Sequence, residues 1–113
     1  MGKSDDLARR AVACKHWRWA PGMRYTLPTP SLHGRWKPGL SPHIMPDLTD
    51  PATVGALLAL VREAWGDPCI CTAVDNTGAG WWVDGWTAAR PQVPSDLHPT
   101  EAEALVAALE AAP

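Results

Sequence analysis

The segment DPATVGALLALVREAWG, residues 50–66, decides the fold of this chain. Asp50 belongs to the residue types that cap helix N-termini, and Pro51 follows at the first helical position, where proline is favoured. Gly66 provides the stop signal. Between these signals, apolar residues recur at helical spacing at Val54, Leu57, Leu58, Val61 and Trp65. The pattern predicts a helix over residues 51–65 with one face in the core.

Two β-type runs follow this helix, at about residues 69–75 and 81–87, and a short glycine-containing loop separates them. Alternating side chains on both sides of such a loop predict an antiparallel hairpin. Tryptophans at 81, 82 and 86 place apolar rings on both faces of this hairpin. One face is expected to cover the helices, and the other is a candidate partner surface.

Two further helices are predicted near the ends of the chain. Residues 4–15 begin with Ser4, a good N-cap, and residues 100–111 begin with a capping box formed by Thr100 and Glu103. Trp17 and Trp19 then alternate with polar neighbours, which predicts a short strand at about 16–19.

These elements predict an α+β fold in a single domain over residues 1–113. The small antiparallel sheet, made of the hairpin and the strand at 16–19, would pack against the helices at 51–65 and 100–111. Residues 20–51 hold seven of the twelve prolines. Because proline lacks a backbone donor and restricts the residue before it, residues 20–50 are expected to be irregular apart from a short strand around Met23–Thr26.

Charge is distributed very unevenly along the chain. Residues 1–37 hold eight lysines and arginines against two acids, a net charge of +6, whereas residues 38–113 hold two against ten, a net charge of −8. Aromatic rings alternate with the cations of the first part, an arrangement typical of surfaces that bind anionic or planar partners. The candidate contact residues are Trp17, Arg18, Trp19, Arg24, Arg35, Trp36 and Lys37.

Candidate metal ligands and nucleophiles do not form a recognisable motif. The cysteines and histidines are Cys14, His16, His33, His43, Cys69, Cys71 and His98. None of them has the paired spacing of a tetrahedral zinc site, and no nucleophile lies beside a base in a known motif. The glycines between 78 and 80 are followed by a predicted strand and lack the lysine of a phosphate-binding loop. We therefore expect no metal, no cofactor and no catalytic residue, and a protein that is not an enzyme.

Three stretches carry a resemblance to known sequences. They are WRWAPGM at residues 17–23, PDLTDPATVGALLALVREAWGDP at residues 46–68 and PTEAEALVAALE at residues 99–110. Together they resemble small uncharacterised proteins encoded in tailed phages and prophages. The resemblance implies a phage-encoded accessory protein in the host cytosol and brings no activity, cofactor or site residue.

Two functional hypotheses follow. The first is a non-enzymatic module that binds a phage or host protein through the basic aromatic segment or the exposed hairpin face. The second is a single-stranded nucleic-acid-binding protein that uses the same basic aromatic residues. The opposite charges of the two parts also allow a homodimer. A cytoplasmic location without a membrane partner is expected, because the longest apolar run is far shorter than the roughly 20 residues of a membrane span.

Overall fold

The computed structural model describes residues 3–26, 33–40, 44–84 and 97–113. Eight elements follow one another in this part of the chain. They are α1 (Lys3–Ala13), β1 (Arg24–Thr26), β2 (His33–Arg35), β3 (Met45–Pro46), α2 (Pro51–Trp65), β4 (Cys71–Val74), β5 (Trp81–Asp84) and α3 (Glu101–Ala111). The architecture is a small α+β fold with antiparallel sheets, as predicted.

Helix α2 has the boundaries that its end signals predict. Asp50 is the N-cap and accepts a hydrogen bond from the Thr53 backbone N–H, and Gly66 closes the helix in the left-handed conformation at φ 65°. The buried residues of the helix are Thr53, Leu57, Leu60, Val61 and Trp65. Two members of the predicted core stripe, Val54 and Leu58, are only half-buried. Both residues pack against the edge of the core and keep part of their surface exposed.

Helix α3 also forms as predicted, because the Thr100 hydroxyl accepts a hydrogen bond from the Glu103 backbone N–H at 3.1 Å. The two helices are joined in the core, where the Trp65 indole Nε1–H donates to the Ala108 carbonyl at 2.8 Å. Such a bond satisfies the polar atom of a ring that is only 3% exposed.

Helix α1 ends at Ala13, two residues before the predicted end, so Cys14 lies outside it. The helix packs on α3, where Arg10 bonds Glu110 at 2.6 Å. The predicted strand at 16–19 is not formed, and residues 17–20 run without strand pairing. The Trp17 backbone N–H instead donates to the Cys14 carbonyl in a local turn, and the Trp17 and Trp19 rings contact each other edge-on and pack against the core.

The proline-rich segment contains more regular structure than its composition indicates. Strands β1, β2 and β3 form a three-stranded antiparallel sheet in the order β2-β1-β3. Arg24 pairs with Arg35, and Tyr25 pairs with both Gly34 and Pro46. Pro46 is accommodated because β3 is an edge strand, where a missing backbone donor costs least.

The predicted hairpin forms, and β4 pairs with β5 from Cys71↔Asp84 to Val74↔Trp81, so β4 is shorter than the run predicted at 69–75. Val83 and Ile70 are buried on its inner side, which packs against α3. The Thr72 hydroxyl donates to Glu101 at 2.5 Å and ties β4 to the start of α3. Residues 85–87 of the predicted return strand lie outside the described residues.

Candidate functional site

Three of the predicted contact residues form a row of indole rings. Trp17 meets Trp19 edge-on with ring centroids 5.5 Å apart, and Trp19 stacks on Trp36 at 6.3 Å with an angle of 12° between the planes. All three rings are half-buried and pack against the hydrophobic core. The row therefore contributes to the fold and offers only part of its surface to solvent.

The arginines among the predicted contact residues are bonded to carboxylates of the acidic part of the chain. Arg18 donates two hydrogen bonds to Glu63, one of them 2.5 Å long. Arg24 Nε lies 3.2 Å from Asp47, on the loop that precedes α2. The charges of Arg18 and Arg24 are thus paired with carboxylates inside one molecule.

Arg35 belongs to the same pattern and sits at the N-terminus of α2. Its guanidinium donates to Asp50 at 2.6 Å and to the Gly22 carbonyl at 3.3 Å. Asp50 consequently serves both as the N-cap of α2 and as the ion-pair partner of Arg35 on β2. The hydrogen bond from Arg35 lowers the pKa of Asp50, and the bonds donated by Thr53 lower it further.

Thr53 completes the connection between the sheet and α2. Its hydroxyl accepts a hydrogen bond from the Arg24 backbone N–H at 2.7 Å and donates one to Asp50 at 3.0 Å. The residue is fully buried. The three predicted arginines, Arg18, Arg24 and Arg35, are therefore all bonded to α2 or its N-cap, and these bonds stabilise the fold.

Lys37 is the exception among the predicted cations. It is exposed, and no ion pair to it occurs in the described part of the chain. Two polar atoms behind the aromatic row, His16 Nε2 and Trp17 Nε1, are buried without a hydrogen-bond partner.

The candidate metal ligands do not converge in the described ranges. Cys14, Cys69 and Cys71 are free thiols, and no group of three or more potential ligands forms within residues 3–26, 33–40, 44–84 and 97–113. The side chain of His33 and all of His43 lie outside the described residues. Among the helices of the described segments, none has both the length and the apolar character needed to cross a membrane.

The outer face of the hairpin, the second predicted partner surface, is modest. Val74 and Leu97 are each 49% exposed and border a shallow pocket of about 280 Å³ beside Trp82. Trp81 turns inward and packs against the core. Trp86, which was predicted to enlarge this face, lies outside the described residues.

A larger apolar groove, which the sequence analysis did not identify, lies where the three helices meet. Its volume is about 760 Å³. The apolar lining consists of Leu7 of α1, Leu48, Pro51, Val54, Gly55 and Leu58 at and before the first half of α2, and Pro99 and Ala102 at the start of α3. We call this feature the helix groove. One face of α2 lines the helix groove, because its lining residues follow the spacing i, i+3, i+4, i+7 at Pro51, Val54, Gly55 and Leu58.

The polar residues of the helix groove are few. Thr49, Thr100, Glu101 and Glu103 complete the lining, and none of the lining residues that the structure describes is a lysine or an arginine. The sequence does contain the groove-lining residues of α2, because Val54 and Leu58 belong to the apolar stripe of residues 51–65. The sequence could not show which of them the rest of the chain leaves uncovered.

Comparisons with known proteins add no family to these observations. No family model, curated protein or solved structure matches the chain. The resemblance to phage-encoded proteins therefore stays a prediction.

Proposed function

We propose that this chain is a non-enzymatic protein-interaction module that docks a partner protein in the helix groove. The observation that carries the proposal is the groove itself. It has a volume of about 760 Å³, and its walls are mostly apolar. Val54 and Leu58 remain half-exposed there although they belong to the apolar stripe of α2. Apolar grooves between helices are a recurrent docking mode for segments of partner proteins.

The biological setting in this proposal is that of an accessory protein encoded by a phage or prophage and acting in the host cytoplasm. The partner is then a phage or host protein. This setting is supported by the resemblance of residues 17–23, 46–68 and 99–110 to such proteins. The interaction itself is supported by the groove, and it does not depend on the setting.

Site-specific photo-crosslinking tests the proposal. A benzophenone amino acid at position 58, in the groove, is expected to crosslink the full chain to one partner protein in host cells. The matched control carries it at Ala59, which is exposed but does not line the groove. Equal crosslinking from both positions, or none from position 58 in a folded chain, would refute docking in the groove.

Single-stranded nucleic acid is the second candidate partner, because Trp19 stacks on Trp36 beside the exposed Lys37. Against it stands the pairing of Arg18, Arg24 and Arg35 with carboxylates, since paired cations release few counterions from phosphates. Titration with oligonucleotides at low salt is expected to leave the tryptophan fluorescence unchanged. Quenching that weakens steeply with salt would instead favour nucleic-acid binding.

A further inference from the structure

The walls of the helix groove indicate what shape of partner segment fits it. One wall is the face of α2 that carries Val54, Gly55 and Leu58, and the other is the first turn of α3. Grooves between helices commonly accept a third helix, whose apolar residues at i, i+3, i+4 and i+7 fill the space between the walls. The groove therefore has the form of a helix-docking site.

Gly55 provides an independent observation in the middle of the α2 wall. Its backbone is in an ordinary helical conformation, and a Cβ built on it would have no atom within 4 Å. Glycine in a helix interior is less stable than alanine, and neither the backbone nor the packing of this chain requires it here. A residue without a side chain at this position allows the backbone of a docked helix to come close to α2.

The charge of the groove indicates the polarity of the partner. Among the described residues that line the groove, the charged ones are Glu101, which also accepts a hydrogen bond from the Thr72 hydroxyl, and Glu103. Arg10 lies near Glu103 on α1, but its guanidinium is bonded to Glu110. A partner carrying lysine or arginine at the edge of its apolar stripe would complement these carboxylates.

We propose that the helix groove binds an amphipathic α-helix of another protein, with an apolar stripe that crosses α2 at Gly55 and with basic residues that meet Glu101 and Glu103. This inference rests on the proposed function and specifies the chemistry of the partner. It differs from binding of an extended peptide, of an acidic helix or of a second copy of the chain.

A displayed library of random peptides of about 16 residues, roughly four helical turns, provides the probe. Peptides are selected on the full chain and counter-selected on Gly55→Leu, which fills the groove. Enriched peptides are expected to show apolar residues at i, i+3 or i+4, and i+7, with flanking lysine or arginine. Gly55→Leu should weaken their binding by at least about tenfold, which is about 1.4 kcal/mol.

Three variants control this experiment. Ala59→Leu adds the same side chain to an exposed position outside the groove and should leave affinity within about twofold. Gly55→Ala should lower affinity without lowering the melting temperature, which separates binding from folding. Glu103→Gln should lower affinity a few-fold for basic peptides, because it removes one of the complementary charges.

Each other outcome overturns the inference in a distinct way. Groove-dependent peptides with alternating or acidic patterns would refute a basic helix while leaving docking in the groove intact. Enrichment of no groove-dependent peptide would refute both the inference and the proposed function. A concentration-dependent dimer in light scattering that Gly55→Leu abolishes would identify a second copy of the chain as the occupant.

Discussion

Helix α2 has two sides that the rest of the chain treats differently. The basic N-terminal part covers one side through Arg18–Glu63, Arg35–Asp50 and the Thr53 hydroxyl. The first half of the helix leaves Val54, Gly55 and Leu58 open on the other side. The covered side combines charge and aromatic rings, whereas the open side is apolar and uncharged along the helix.

The comparison shows that a residue pattern typical of binding sites can serve the fold instead. Cations beside tryptophans resemble a contact surface in the sequence, yet their guanidinium groups bond carboxylates of the same molecule. An ordinary core stripe is less conspicuous, yet part of it remains exposed. A surface is available for a partner only where its side chains are not already bonded to other residues of the same chain.

The largest expected effect comes from Thr53→Val on the covered side. The substitution keeps the shape of the side chain but removes the hydroxyl that accepts from the Arg24 N–H and donates to Asp50. We expect the free energy of unfolding to fall by about 1–3 kcal/mol, measured by urea denaturation. Thr53→Ser, which keeps the hydroxyl, should lower the free energy of unfolding by less than Thr53→Val does. Equal loss in both variants would show that the hydroxyl does not fasten the sheet to α2.

Asp50→Ala should have the next largest effect. It removes the N-cap of α2 and the partner of Arg35, and loss of such a cap costs about 1–2 kcal/mol. Asp50→Asn retains the capping oxygen but not the charge, so most of the stability should remain. If the two variants were equally unstable, the ion pair rather than the cap would hold the covered side.

On the open side, Gly55→Ala should stabilise the chain by about 0.5–1 kcal/mol. The added methyl group meets open space, so only the helical preference changes. The change in melting temperature measures it, with Ala59→Gly as the reverse control at an exposed site of the same helix. A destabilised Gly55→Ala would mean that the groove is already filled.

The smallest effect concerns pH. Hydrogen bonds from Arg35 and Arg18 hold the pKa values of Asp50 and Glu63 below the ordinary values of 3.8 and 4.5. A lowered carboxyl pKa contributes stability that is present above the ordinary value and is lost as the pH falls through the folded value. We expect the melting temperature to fall below about pH 4.5, less steeply in Asp50→Asn. If the melting temperatures of the unsubstituted chain and of Asp50→Asn fell equally with acid, the Arg35–Asp50 ion pair would contribute no pH dependence.

Much of the fold was predictable because local signals agree with the tertiary structure. The cap at Asp50 and the stop at Gly66 set both ends of α2, and Thr100 sets the start of α3. The hairpin followed from alternation on both sides of a short loop. The strand predicted at 16–19 did not form, because alternation of tryptophans cannot distinguish a backbone ladder from packed rings. Strand β1 lies where a short strand was expected, but its partners β2 and β3 were missed because prolines conceal strands of two or three residues.

The candidate site was less predictable than the fold. The sequence identified cations and rings that the structure does bring together, but not the carboxylates that pair with them from 15 to 45 residues away. It placed Val54 and Leu58 against the core, as the structure does, but not at the edge where they also line a groove. Both shortcomings have the same cause. Residues distant in the chain decide which carboxylates pair with the arginines and which apolar side chains of α2 are covered.

The sequence alone determined where helices begin and end, which faces are apolar and how the charge divides along the chain, because these depend on neighbours within a few residues. Only the tertiary structure decided that Arg18, Arg24 and Arg35 are neutralised and that one face of α2 stays open. Those outcomes depend on how α1, α2 and α3 pack, because residues distant in the chain leave Val54 and Leu58 at the edge of the core, where they line the helix groove.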